Sequence, residues 1–236
     1  MTTIVSILTT KDGQGSTGFA LGVAWTAAQQ RRVLLIDADM SGTGTLADAI
    51  ALDFDGRGIG NLFGTVAISA SMLEQQAVQV KSRPRLRVVA GLQGFCGPGV
   101  AELLPRLAPA LRSVADELVL LDLGAALAYP GQESPRRTAE VIASVSQRVF
   151  VVIHDSPARL LKSIQVLKAA QLPQAELVVH ESRRGALRAH VRKALAEHLP
   201  GVRLTTTQPW DERRAARAED RAQPATISGL LEVLRL

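Results

Sequence analysis

An α/β fold is predicted, with a doubly wound, mostly parallel sheet and helices on both faces. Three observations lead there. Seven short strand-like runs, most of them rich in Val, Ile and Leu, recur along 236 residues, helical patterns separate most of them, and the runs are nearly continuously apolar rather than alternating. A strand that is apolar on both sides must be covered on both sides, which is the situation of a parallel sheet with crossover helices. The connections are short and no Pro/Gly/Ser-rich linker divides the chain, so residues 1–236 read as one domain.

The elements follow in order. "TIVSILTT" (3–10) is a buried strand that ends in a glycine turn, and from Thr17 the apolar residues Phe19, Val23, Ala24, Ala27 and Ala28 take helical spacing. "RVLLIDAD" (32–39), "RLRVVAG" (85–91) and "ELVLLDLG" (117–124) are further strands, two of them closing on acids. "RVFVVIH" (148–154), "AELVVHE" (175–181) and "VRLTTT" (202–207) complete the set. Helices are expected over 99–115, 134–146, 157–171 and 184–199. No internal repeat is seen.

Hydrophobic residues make up 47% and charged residues 21%, the balance of an ordinary globular protein. Aromatics at 3% argue against stacking platforms for single-stranded nucleic acid. A single cysteine, Cys96, excludes an intramolecular disulfide framework and suits a reducing cytoplasm. The four histidines lie at no metal-ligand spacing, so no structural metal site is expected. The N-terminus has no basic segment ahead of an apolar one, and no apolar run reaches the roughly 18 residues of a membrane span. The chain reads as cytoplasmic.

In open parallel sheets the ligand crevice lies at the carboxyl ends of the strands. Gly13, Gly15, Asp37, Asp39 and Asp122 all follow or close strands at that edge. In "TTKDGQGSTGF" (9–19), glycines let successive amides curl into an anion nest, and the helix beginning near Thr17 points its positive end at the same spot. Thr17 stands where a phosphate-loop hydroxyl reaches Mg²⁺. Two acids in "LLIDADMSG" beside an anion nest repel an anion unless a divalent metal or a water intervenes, and Asp122 adds a third. A Mg²⁺–nucleotide site accounts for all of them.

The loop resembles the deviant Walker A of the ParA/MinD superfamily of P-loop ATPases, Lys-Gly-Gly-x-Gly-Lys-Ser/Thr-Thr. It matches at Lys11, Gly13, Gly15 and Thr17 and departs at Asp12, Ser16 and Gly18. "VLLIDADMSGTGTLADAI" is similar to the superfamily's second motif, and "LVLLDLG" to its Walker B. The resemblance is strong over roughly residues 3–50 and 115–125. "GIGNLF", "PRLRVVAG" and "DSPARLLKSIQVL" are closest in character to the CpaE/TadZ branch, whose members help position pilus-assembly machinery.

That resemblance implies a weak ATP-binding switch, at most a weak ATPase, for placing a partner machine or DNA within the cell. ATP and Mg²⁺ are its cofactors and a homodimer, dependent on nucleotide, its working form. Lys11, Gly13, Gln14, Gly15, Ser16, Thr17 and Gly18 would hold the phosphates, with Pro209 and Trp210 beside the base. Thr17, Asp37 and Asp122 would serve the metal. Asp39 would orient the attacking water, and Lys11 would neutralise charge across the dimer. His180 stands where the superfamily often has a base-recognising Asn. Ser16 brings no charge where the second lysine is usual. A lost charge-assisted hydrogen bond costs about 1.5–3 kcal/mol, roughly tenfold to a hundredfold in affinity. Asp12 also opposes phosphate. A fold kept without nucleotide is therefore an alternative, and an active DNA-partition ATPase is another.

The basic excess is uneven. Residues 181–221 hold ten Arg/Lys against six Asp/Glu, four of the chain's five net positive charges. In "RRGALRAHVRKALAEHLPG" (183–201), Leu187, Val191, Leu195 and Leu199 make an apolar stripe, with Arg184, Arg188, Arg192 and Lys193 beside it. Cations at helical spacing can track DNA phosphates without reading bases; a solvated surface helix has the same pattern. "WDERRAARAEDRAQP" (210–224) mixes signs, and "ISGLLEVLRL" (227–236) has too few cations for a membrane-surface helix.

Overall fold

The computed structural model describes residues 2–41, 45–92, 94, 97–128, 134–172, 174–180 and 188–208. Eight strands form one sheet: β1 (Thr3–Thr9), β2 (Val33–Asp37), β3 (Ala77–Gln79), β4 (Leu86–Val89), β5 (Leu118–Asp122), β6 (Arg148–His154), β7 (Ala175–His180) and β8 (Arg203–Gln208). Their order is β3-β4-β2-β5-β1-β6-β7-β8. Every pairing is parallel except that of β3 with β4. The seven expected strands are all present. The short antiparallel β3 was not anticipated, because three half-buried residues carry no periodic signal.

Helices α1 (Ser16–Ala27), α2 (Thr45–Ile50), α3 (Ala70–Gln76), α4 (Val100–Ser113), α5 (Pro135–Val145), α6 (Pro157–Ala170) and α7 (Arg188–His198) connect the strands. Strand side chains alternate between faces. Val5 and Ile7 of β1, Val33 and Leu35 of β2 and Leu118 and Leu120 of β5 share a core with Phe19, Val23 and Trp25 of α1. Their alternates Ile4, Leu8, Leu34, Ile36, Val119 and Leu121 pack with α4 to α7 on the other side. Helix α1 lies across the middle of the sheet and is buried nearly all round, which explains its uncharged, Ala-rich sequence.

Pro105 and Pro109 fall on the exposed side of α4, four residues apart. The carbonyls they leave without helix donors therefore face solvent, where such breaks are least costly. The segment between β2 and β4 holds α2, a 3₁₀ turn at Ile59–Leu62 and α3. None of these was legible as a helix of ordinary length. Ser69 caps α3 by accepting from the Met72 amide at 3.2 Å, and Arg106 of α4 donates to the carbonyl of Phe63 at 2.7 Å, pinning the segment to the body.

Candidate functional site

Register brings the acids together. Asp37 is paired with Asp122 across β2 and β5, and Ile7 is paired with Asp122 across β1 and β5. Asp37 continues the row of Val33 and Leu35, and Asp122 that of Leu118 and Leu120, so both stand on the α1 side of the sheet. On the far side of β1, His154 of β6 is paired with His180 of β7. These continue the rows of Phe150 and Val152, and of Val178, which also belong to the α1 side. The loop after β1 thus rises between two carboxylates on one flank and two imidazoles on the other.

The loop turns on glycine. Gly13 has φ 70° and Gly15 φ 91°, the left-handed region that glycine enters without steric cost. Gly15 occupies the N-cap of α1 and no side chain caps that helix. A Cβ at Gly13 or Gly18 would meet nothing within 4 Å, whereas one at Gly15 would come 2.6 Å from Nδ1 of His180. Lys11, Asp12 and Gly13 are exposed at the tip and Ser16 is buried behind it. Gln14 is only 1% exposed. Its Oε1 accepts from the Thr10 amide at 3.3 Å and its Nε2 donates to Oγ of Ser163 at 3.2 Å. The Gln14 side chain therefore points into the body, leaving its main chain for the role expected of it.

The carboxylates are crowded and dry. Asp122 is fully buried, and burial raises its pKa to about 6, with a further push from Asp39. Donors at Thr17, at the Gly124 amide and at Ser16 work against that rise. Even so, Asp122 Oδ2 has no hydrogen-bond partner. Burial also lifts Asp37 to about 7, followed by the charges of Asp122 and Asp39. Asp37 accepts from the amides of Asp39 (3.2 Å) and Leu46 (3.4 Å), and Asp39 accepts from the Ser41 amide (2.9 Å). A cluster of three acids, with Asp37 and Asp122 raised and one oxygen orphaned, is what a divalent cation relieves. Among the described residues no three His, Cys, Asp or Glu side chains form a metal-holding group by themselves. The arrangement suits a cation held by the Thr17 hydroxyl and ligand oxygens, with the acids outside them.

Two residues that sequence reading missed make room for this cluster. A Cβ at Gly91, just beyond β4, would collide with the Asp37 carboxylate, and one at Gly124 would collide with that of Asp39. Gly124 follows the Walker B-like strand by two residues and has φ 53°, so its position was the available signal. His154 was also passed over. Its pKa is lowered by burial and by Arg159, against the opposing pull of Asp155, with His180 adding to the depression.

The described residues include only part of the basic helix. Val191, Leu195 and Leu199 are buried as expected, and Arg192 and Lys193 are exposed. Lys193 lies 3.9 Å from Glu197. Arg184, Leu187, Pro209, Trp210 and the segments 210–224 and 227–236 lie outside the described residues, as does the side chain of Arg188. No described helix is long and apolar enough to cross a membrane.

No protein-family model matches the chain, and no curated protein matches it. Solved structures do. A ParA family ATPase from Chlorobium tepidum TLS superposes with a TM-score of 0.68 at 16% identity, over 100% of this chain and 94% of that one. A plasmid partition protein from Borrelia burgdorferi B31 bound to AMPPNP gives 0.70 at 13% identity, over 99% and 98%. MinD in the MinC:MinD cell division complex of Aquifex aeolicus gives 0.71 at 14%, over 99% and 94%. This chain has the ParA/MinD fold. At these identities the likeness carries the architecture of that ATPase superfamily over the full length.

Proposed function

We propose that this protein is a ParA/MinD-like nucleotide switch with a degenerate phosphate loop, which positions a partner machine or DNA in the cytoplasm. One observation carries the reading. The buried, half-orphaned Asp122 carboxylate stands against Ser16 and Thr17, at the foot of a loop turned by two left-handed glycines. A core residue with no task would not keep an unsatisfied charge there.

In this reading the main chain of Gly13, Gln14, Gly15, Ser16 and Gly18 wraps the phosphates, and Thr17 reaches the metal. Asp37 and Asp122 hold the metal's waters, Asp39 orients the attacking water, and Lys11, exposed at the loop tip, neutralises charge across a homodimer. Bound Mg²⁺ would supply charge neutralisation and polarise the phosphate oxygens. Ser16 contributes a hydrogen bond but no charge, so hydrolysis suffers more than binding, because charge develops on the transferring group. Pro209 and Trp210 remain the proposed base neighbours, and the CpaE/TadZ branch the proposed closest kin. The AMPPNP bound by the Borrelia neighbour supports the choice of ATP.

Calorimetry with ATP and Mg²⁺ tests the reading. Binding between about 10 μM and 1 mM is expected, weakened at least tenfold in Thr17→Ala. Asp39→Ala should bind like the wild type but abolish any turnover. Silence up to millimolar ligand would leave the fold as a nucleotide-free scaffold. That second reading draws its support from Asp12, a carboxylate exposed on the loop itself.

A further inference from the structure

We infer that Gln14 is a positioning residue: braced by α6 and β7, it holds the phosphate loop in its anion-binding form before any ligand arrives. The inference rests on the nucleotide-binding reading above and explains how a loop without its second lysine keeps useful affinity.

The network is complete and directional. The Thr10 main-chain N–H can only donate, so the Gln14 atom 3.3 Å from it must be the carbonyl oxygen, which puts the amide nitrogen on Ser163. Ser163 Oγ, on a residue 1% exposed, donates to the carbonyl of Arg159 at 2.9 Å. It therefore accepts from Gln14 Nε2 at 3.2 Å and from the Thr10 hydroxyl at 2.6 Å. The Gln14 main-chain oxygen, for its part, accepts from Nδ1 of His180 at 3.1 Å. That bond fixes the ring with its proton on Nδ1, and the ring lies where a Cβ on Gly15 would otherwise be. Gln14 is thus held through both its side chain and its backbone, by helix α6 on one side and strand β7 on the other.

The flanking residues show why this matters. Gly13 and Gly15 have the most conformations to lose, and ordering them costs backbone entropy. A glycine loop left to its own devices pays that cost when the phosphate binds. Here the residue between the glycines is fixed during folding, so the ordering is complete before binding and the ligand meets a formed nest. The superfamily motif leaves this position unspecified, and this chain fills it with a side chain that has both an acceptor and a donor to spend.

The test measures ATP–Mg²⁺ affinity by calorimetry and amide hydrogen exchange of residues 10–16 in the free protein. Variants are Gln14→Met, which keeps length and loses the hydrogen bonds, Ser163→Ala, the double variant, and His180→Ala. Expected are tenfold or greater weakening in Gln14→Met, faster exchange concentrated in the loop, and a modestly lower thermal midpoint, since the Thr10 amide and the Ser163 hydroxyl lose a buried partner. The double variant should be no weaker than Gln14→Met alone, because the two groups act through one bond. His180→Ala, which frees only the backbone oxygen, should weaken binding less and still speed exchange. Equal ATP affinity in wild type and Gln14→Met overturns the inference. If the wild type binds no ATP, the nucleotide reading fails. The exchange arm then decides the brace alone: faster loop exchange in Gln14→Met upholds it, and unchanged exchange removes it.

Discussion

The phosphate loop and helix α7 both carry residues that the sequence singles out, yet they are held in opposite ways. In the loop and at the strand ends beside it, Gln14, Ser16, Asp37 and Asp122 are buried and held by neighbours from other elements. On α7, Arg192 and Lys193 are exposed, and Lys193 lies 3.9 Å from Glu197 on its own helix. Substitution in the first region must disturb several elements together. In the second it changes charge and little else. A buried polar group without a task is costly, whereas a solvated cation is cheap, so burial makes the loop the more informative of the two.

The sharpest way to break that contrast is Gly15→Val. A β-branched residue at φ 91° is strained, and its Cβ would meet the His180 ring at 2.6 Å. Relief requires moving either the ring or the Gln14 peptide, and both shape the nest. Calorimetry should show ATP binding weakened at least a hundredfold. Gly13→Ala is the control: it bears the left-handed φ of 70° but points into open space, so it should lose roughly tenfold or less. Equal losses in the two would mean that flexibility, not the His180 contact, makes glycine necessary.

A second measurement concerns the carboxylates. Asp37 and Asp122 are raised from 3.8 to about 7 and about 6, so between pH 4 and 7 the folded protein binds more protons than the unfolded chain. Stability of the metal-free protein therefore falls as pH rises through that window. Asp37→Asn should flatten the decline, read as the difference in thermal midpoint between variant and wild type from pH 5 to pH 8. If Mg²⁺ binds the ionised cluster, adding it should stabilise the wild type more at pH 8 than at pH 5. A parallel pH profile for Asp37→Asn and wild type would remove the crowded-acid account.

The fold was legible because its signals are strong and redundant: β2, β5 and β6 are built on continuous apolar runs, and β1 and β7 nearly so. The acids were legible for the same reason, since an Asp closing such a run must sit at the sheet's carboxyl edge. What the sequence concealed was contact between distant elements. Nothing local in "KDGQGST" shows that Gln14 turns inward to Ser163, 149 positions away, or that His180 covers Gly15. Gly91 and Gly124 looked like ordinary strand-end turns, and only the Asp37 and Asp39 carboxylates packed on them show why a side chain is excluded. The short α2, α3 and β3 lacked enough residues to display a period.

The smallest expected effect lies on α7. Arg192→Ala and Lys193→Ala remove exposed charges beside the buried stripe of Val191 and Leu195, so the thermal midpoint and the ATP affinity should stay at wild-type values. If these cations contact DNA phosphates, each substitution should weaken binding to duplexes of any sequence and flatten the slope of log affinity against log salt by about 1. Fluorescence anisotropy with two unrelated duplexes at 50 and 200 mM salt reads both quantities. An unchanged slope in the double variant would reduce the stripe to a solvated surface. A change in ATP affinity would be the more surprising result, since both side chains are exposed on α7, and it would mean that α7 and the phosphate loop are coupled after all.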